Sequence, residues 1–367
     1  MGAPSLLIVR LGAIGDVIHG LPAAALLRRR RPEIRLGWLV EPGAAPLLRG
    51  NPLLDAVLVW PRKQWRREGL GSFWRRSRAF FRDEVRAGGW DQALDLQGLL
   101  KSGAATLLSG APDRIGFAGP DSREGNFLFM TRRAEPPASL RHVIERNVFL
   151  AASAIRDGET LSLAREKPPD AFREFVRDLT LNPPLPPLEA QEKRVAAWLP
   201  EAGSRPLIVL NPGGAWASKR WPAERFGQLA QLLAIEEPEP LFVIARGPGE
   251  EEMAASIRRE APAARFVDLP VLDLLELAAL CRRASLFVAG DTGPLHLAAA
   301  LETPCLALYS GSDPARNGPC AAAARIIDAQ ADAPRRVHYR QDKIGLSTIH
   351  PTVVADAARE LLAKRPT

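Results

Sequence analysis

Three cysteines in 367 residues, Cys281, Cys305 and Cys320, are too few and too scattered for a disulfide framework or a zinc cage. A reducing cytoplasm is the compartment this predicts. No apolar run approaches the ~20 residues of a membrane-spanning helix. The first ten residues carry one short apolar run and no small-residue cleavage site, so a signal peptide is not expected. There is no Walker A pattern, no His-Glu-x-x-His, no paired-cysteine metal spacing and no Asp-x-Asp. The last absence argues against a sugar nucleotide held through a bridging metal, which needs clustered carboxylates. Neither a metal nor a cofactor is expected.

Hydrophobic residues at 46% and charged residues at 25% describe a soluble globular chain and exclude a disordered or fibrous one. At 367 residues the chain exceeds what one hydrophobic core absorbs, so two domains are expected. The formal net charge is +7, and residues 62–86 alone contribute nine basic side chains against three acidic ones, or +6. Such a patch implies an anionic partner: nucleic acid, a membrane surface or a phosphorylated substrate.

Residues 5–9 form a short apolar run, followed by Gly12 and Gly15 and a helical pattern from Val17. Residues 36–40, 56–59 and 92–96 read as further short strands separated by helix-like stretches. Between Pro168 and Pro206 the chain turns proline-rich, through Pro183, Pro184, Pro186, Pro187 and Pro200, as an inter-domain linker would. The pattern then restarts with strands at 207–210, 241–245, 286–289 and 305–309, each ending in a glycine-containing turn. Alternating strands and helices predict an α/β protein of two Rossmann-like, doubly wound domains facing across a cleft. The expected boundaries are 1–180 for the first domain and 181–345 for the second. A C-terminal helix at 346–367 could return to the first.

Four turns could carry chemistry. Asp16 follows Gly12 and Gly15 at the start of a helix, where it either serves a ligand or only caps the helix. Gly290-Asp291-Thr292-Gly293-Pro294-Leu295-His296 places free backbone N–H groups at a second helix start, a ready anion site. A lone His296 would ordinarily be a core residue. Lys219, one of seven lysines, precedes Trp221-Pro222 and follows the Gly213-Gly214 turn, from which it could offer positive charge to a diphosphate. Lys101, Arg114 and Arg123 could meet an anionic acceptor or simply be solvated.

Taken in order, Gly12-x-x-Gly15-Asp16, Asp95-x-Gln97-Gly98-Leu99-x-Lys101, Lys219-x-Trp221-Pro222, Asp291-Thr292-Gly293-x-x-His296 and Gly311-Ser312-Asp313-Pro314 resemble the motif set of the family 9 glycosyltransferases. These are the ADP-heptose:lipopolysaccharide heptosyltransferases, and the resemblance spans nearly the whole chain. The basic aromatic stretch after Trp60 is most similar to that of the type I enzymes, which act on Kdo-lipid A. The resemblance implies a GT-B fold and a metal-independent, inverting transfer, with acceptor on the first domain and nucleotide sugar on the second. It implies Asp16 as the catalytic base and Lys219 as the cation on the diphosphate. Gly213, Gly214, Asp291, Thr292, Gly293 and His296 are implied at the donor, with Glu251 on the ribose and Glu250 as its alternative. Lys63, Lys101 and Arg123 are implied at the acceptor. Where some type I members carry hydroxyl residues before the lysine, this chain has Gly214 and Ala215.

The implied partners are an ADP-sugar, an anionic lipid-linked acceptor of Kdo-lipid A type and the cytoplasmic face of the inner membrane, bound peripherally, with no nucleic acid. A sugar-nucleotide epimerase on the same fold is the main rival, and it has no use for the basic stretch. A nucleic-acid-binding protein would use the arginines and aromatics of residues 62–86 but leaves the glycine turns unexplained.

Overall fold

The computed structural model describes residues 4–199, 203, 205–235, 239–331 and 345–364. The chain divides into two compact units, Met1–Pro187 and Leu188–Thr367. In the first, β1 (Ser5–Val9), β2 (Arg35–Val40), β3 (Ala56–Val59), β4 (Gln92–Asp95), β5 (Asp113–Phe117) and β6 (Arg132–Ala134) form one parallel sheet in the order β3-β2-β1-β4-β5-β6. In the second, β7 (Leu207–Asn211), β8 (Leu241–Ile244), β9 (Arg265–Val267), β10 (Leu286–Gly290), β11 (Cys305–Tyr309) and β12 (Ala324–Asp328) repeat that order as β12-β11-β10-β7-β8-β9.

The central strands are buried along their whole length, as in β1, β7, β10 and β11. Helices cover both faces of a parallel sheet, so its strands read as continuous apolar runs. In each sheet the winding direction reverses once, between β1 and β4 and between β7 and β10. A crevice opens at the carboxyl ends of the strands at such a reversal, where ligands bind in doubly wound folds.

The unit boundary lies at 187/188 rather than 180/181. The helix Asp170–Thr180 buries Phe172 and Val176, and the prolines after it are tied back by Asn51, whose side-chain amide donates to the Pro184 carbonyl at 2.7 Å. The helix Glu189–Trp198 opens the second unit and pairs with the helix Leu274–Arg283 through Arg194–Glu276 at 2.9 Å and Arg282–Glu192 at 2.7 Å. Pro200, also assigned to the linker, lies outside the described residues.

The C-terminal helix, Pro351–Ala363, was the candidate for a return to the first domain. It packs into the second unit instead: Val354, Ala355 and Ala358 share a core with Trp221, Phe226 and Leu308. The Trp221 indole donates to the Ile349 carbonyl at 3.1 Å, fixing the entry to this helix. Residues 332–344 and 365–367 lie outside the described residues.

The basic stretch folds as two helices, Arg62–Arg67 and Leu70–Phe80, continued by a π turn at Phe81–Val85. Its aromatics do not form one outward row. Phe80 and Phe81 are core residues with Trp60, and Trp65 and Phe73 pack on that core half-buried. Trp74 and Leu70 alone among its large apolar side chains stay outside, 68% and 67% exposed, beside the exposed Arg75 and Arg78.

Candidate active site

The first switch point is built around the turn after β1. Asp16 sits in the first turn of the helix Ile14–Ile18 and accepts from its own N-cap, the Ala13 N–H, at 2.9 Å. Its other oxygen is paired with the Arg10 guanidinium at 2.7 Å. Arg10 is buried and also donates to the Leu96 carbonyl, whereas the Asp16 carboxylate remains 43% exposed. The carboxylate is thus held on one side and open on the other. Asp16 does cap its helix, but a cap alone needs no buried guanidinium behind it.

From β4, Gln97 reaches across to the same turn. It accepts from the Leu11 N–H at 3.1 Å and donates to the Gly12 carbonyl at 2.9 Å. Gln97 is placed by Asp95, which is fully buried and accepts from the N–H groups of Gln97 and Gly98, the Ser102 hydroxyl and the Asn126 amide. Burial pushes the Asp95 carboxyl above its ordinary value against those four donors. Gly98 has φ +67°, and a side chain there would run into the Asp121 carbonyl. This turn cannot be rebuilt with another residue.

The charges of Lys63 and Asp16 both reach Lys101. Burial holds the Lys101 ammonium below its ordinary value; Glu41 and Asp16 oppose this, while Arg62 and Lys63 reinforce it. Glu41, which the motif reading missed, is the organiser. It is nearly buried at the end of β2 and pairs with Arg62 at 3.1 Å and Lys63 at 3.2 Å. Arg123 is exposed and is tied to the same loop by its backbone, which donates to the Gly98 carbonyl at 2.8 Å. Arg114 is occupied elsewhere, donating to the Phe129 and Ala111 carbonyls. It has no ligand-binding posture.

The second switch point centres on Asp291. Its carboxylate receives Lys219 Nζ at 2.5 Å, His296 Nε2 at 3.1 Å, the Asn317 amide at 3.2 Å and the Tyr309 hydroxyl at 3.4 Å. Burial would raise this carboxyl, but the hydrogen bond and charge of His296 and the charge of Lys219 hold it well below the carboxylate range. His296 is therefore neither a bland core residue nor a lone one. Tyr309 and Asn317 carried no signal of their own in the sequence. The signal lay in Asp313-Pro314: Asp313 caps the short helix Pro314–Asn317 and thereby delivers Asn317 to Asp291.

Gly290 is obligatory here, because a Cβ would collide with the Lys219 carbonyl. Thr292 is the N-cap of the helix Gly293–Ala300, with no side-chain cap, and its hydroxyl lies 3.4 Å from the Asn211 side-chain oxygen. The first-turn N–H groups of this helix suit an anion. Gly214 lies against Thr292. At Gly213 a side chain would strike the Glu250 carboxylate, which accepts from the Gly247 N–H at 2.7 Å. Glu251 stands apart from that contact, paired with Arg246 at 3.2 Å, and lines a cavity with Ile244, Ala254, Val267 and Leu269 at the ends of β8 and β9.

Two doubly wound units, each with polar groups converging on its switch point, define the architecture of the GT-B glycosyltransferases. The chain belongs to glycosyltransferase family 9 (heptosyltransferase), whose family model matches residues 78–344. It is 30% identical over 85% of its length to a lipopolysaccharide heptosyltransferase 1 of Pseudomonas aeruginosa, covering 80% of that protein. Among solved structures it is similar to a family 9 glycosyltransferase of Veillonella parvula, with TM-score 0.79, 22% identity and coverage of 100% of this chain and 99% of that one. It is also similar to the E. coli heptosyltransferase WaaC with ADP, with TM-score 0.72, 24% identity and coverage of 97% and 99%.

Proposed function

We propose that the protein transfers a heptose from ADP-heptose to the Kdo/inner-core region of lipopolysaccharide, with inversion at the sugar carbon and without a metal ion. The observation that carries this reading is the Lys219–Asp291–His296 group: a cation fixed by a buried carboxylate beside an uncapped helix N-terminus. That is an arrangement for holding a diphosphate and stabilising it as a leaving group. The lipopolysaccharide activity in the name of the P. aeruginosa relative and the ADP held by the E. coli neighbour support the choice of substrates.

Inverting transfer needs a single base on the acceptor hydroxyl and stabilisation of the departing diphosphate. Asp16 is the base. Its carboxylate is held on one side by Arg10 and the Ala13 N–H and open on the other, and a carboxylate is by nature a weak base. It suffices when proton transfer is late and the sugar carbon is already oxocarbenium-like. Lys219 and the amides of the helix Gly293–Ala300 take the leaving charge. Asp291 is itself an anion and its oxygens are filled with donors, so it organises Lys219 and His296 and does not touch phosphate. The cavity beside Glu251 takes the nucleoside, its apolar wall against the base and the carboxylate on the ribose, with Glu250 bracing the Gly213 turn. Lys63, Lys101 and Arg123 meet the acceptor's acidic groups.

With no Asp-x-Asp in the chain, the diphosphate charge falls to Lys219 and backbone amides. Turnover with ADP-heptose should therefore survive excess EDTA. Activity lost to chelation and restored by magnesium would remove the metal-independent mechanism. In a donor screen, ADP-sugars should be used in preference to UDP- and GDP-sugars.

The enzyme works in the cytoplasm, bound peripherally to the inner membrane through residues 62–86. No helix among the described residues is long and apolar enough to cross a membrane. Arg75 and Arg78 flank Trp74 on the exposed face of the helix Leu70–Phe80, and each arginine near an anionic surface is worth about 1 kcal/mol. Charge reversal at Arg75, Arg76 and Arg78 should abolish binding to anionic liposomes and leave ADP binding unchanged. Wild-type binding should fade with salt; binding that ignores salt, or persists in the triple variant, refutes this role.

A further inference from the structure

The helix Leu100–Leu108 is built inside out. Its buried side carries Ser102, Gly103, Ala105 and Thr106. Ser102 donates to Asp95 at 2.8 Å, and the Thr106 hydroxyl donates back to the Ser102 carbonyl at 2.9 Å. Leu100, Leu107 and Leu108 are exposed, with Ala104 half-buried between them. These four fall at i, i+4, i+7 and i+8, which is one helix face. A surface helix ordinarily turns that apolar face inward and its polar residues outward.

The neighbouring turn continues the anomaly. Asn126–Phe129 is docked on the helix, Gly103 lying against Phe129 and the Asn126 amide donating to the Leu99 carbonyl at 2.9 Å. Docked this way, the turn points Leu128 outward at 74% exposure, with Phe127 beside it. Among the described residues, five of the twelve exposed large apolar side chains thus belong to two elements packed on one another. Concentration of that kind marks an interaction surface, whereas scattered exposed residues would not.

Cations border this surface. Lys101 opens the same helix, Arg123 is exposed in the adjoining loop, and the Arg133 guanidinium stands 6.0 Å from the centre of the Phe127 ring. Glu124 is the neighbouring acid, accepting from the Leu100 N–H at 3.2 Å. An apolar stripe with a cationic rim matches a ligand that is apolar in its body and anionic at its head. The stripe also begins next to Lys101, whose charge is coupled to that of Asp16.

We infer that the stripe Leu100–Leu107–Leu108 with Phe127 and Leu128 seats acyl chains of the lipid-linked acceptor while Lys101 and Arg123 hold its anionic head. This rests on the proposed transfer reaction and adds to it a lipid subsite made of residues outside the basic stretch at 62–86, which borders it through Arg86 on the Leu108 carbonyl. The surface favours acylated over deacylated acceptor through KM, because chain burial is made before the reaction and kept through it.

The test is a full-length triple variant, Leu100→Ser, Leu107→Ser and Leu128→Ser, assayed against wild type with ADP-heptose and two acceptors, one acylated and in detergent micelles, one deacylated and freely soluble. With the acylated acceptor, kcat/KM should fall about tenfold or more, carried by KM. With the deacylated acceptor it should stay within about twofold of wild type, which also shows the variant is folded. Equal loss on both acceptors, or none on either, overturns the lipid subsite. A wild-type dimer that dissociates in the variant by sedimentation would assign the surface to a second copy and overturn it too. A wild type that transfers heptose to neither acceptor overturns the reaction itself, and the subsite with it.

Discussion

Asp16→Asn should lower turnover by roughly 10²–10⁴-fold while leaving ADP-heptose affinity unchanged. The substitution keeps the shape of the side chain and its reach to the Ala13 N–H, and removes the negative charge and the proton acceptor. Arg10 stays in place through the Leu96 carbonyl, so the turn after β1 is not dismantled. The loss should appear in kcat, since the acceptor proton moves only in the transition state. Steady-state kinetics beside an ADP titration separates the two quantities. Wild-type turnover in the variant would eliminate Asp16 as the base.

Lys219→Ala should behave differently, weakening ADP binding by about 10- to 100-fold and also lowering kcat. In the proposed reaction the ammonium meets the diphosphate both in the bound donor and in the departing product, so both states would lose it. A second consequence comes from Asp291. Removing one partner of a buried ion pair costs on the order of 3–5 kcal/mol, and His296, Asn317 and Tyr309 remain to offset part of that. The variant should therefore also melt earlier than wild type, and by more than Asp16→Asn, where the lost carboxylate is 43% exposed and the buried Arg10 keeps the Leu96 carbonyl. Calorimetric titration with ADP checks the first claim and a thermal melt the second. Unchanged ADP affinity would mean that Lys219 serves Asp291 alone.

The glycine turns were legible because strand, turn and helix are contiguous in the chain. A run such as Ser5–Val9 followed by Gly12, Gly15 and Asp16 declares its geometry within a dozen residues, and so does Leu286–Gly290 followed by Thr292 and Pro294. The strands that escaped notice are β5, β6, β9 and β12. β6 reads Arg132-Arg133-Ala134, and β12 at the other sheet's edge is largely open to solvent. Strands at and next to the sheet margin need fewer apolar residues, so their sequences lose the periodicity that marks a strand. Among the aromatics of residues 62–86, composition could not say which rings face inward. That depends on the helical phase of Phe73, Ser77 and Phe80 against Trp60.

The residue types, their order and the local turns were set by the sequence, and with them two doubly wound units and most of the groups proposed to act. Which groups meet was decided by the tertiary structure. Lys219 and Asp291 are 72 residues apart and touch because β7 and β10 pair in parallel at the sheet's reversal. Asp291 gathers Tyr309 from the end of β11 and Asn317 from the short helix after it, and Glu41 gathers Arg62 and Lys63 from the helix after β3. The same packing set Glu250 rather than Glu251 against Gly213 and brought the C-terminal helix onto Trp221. Strand order places such partners side by side, and strand order is a property of the whole sheet that no local stretch of chain encodes.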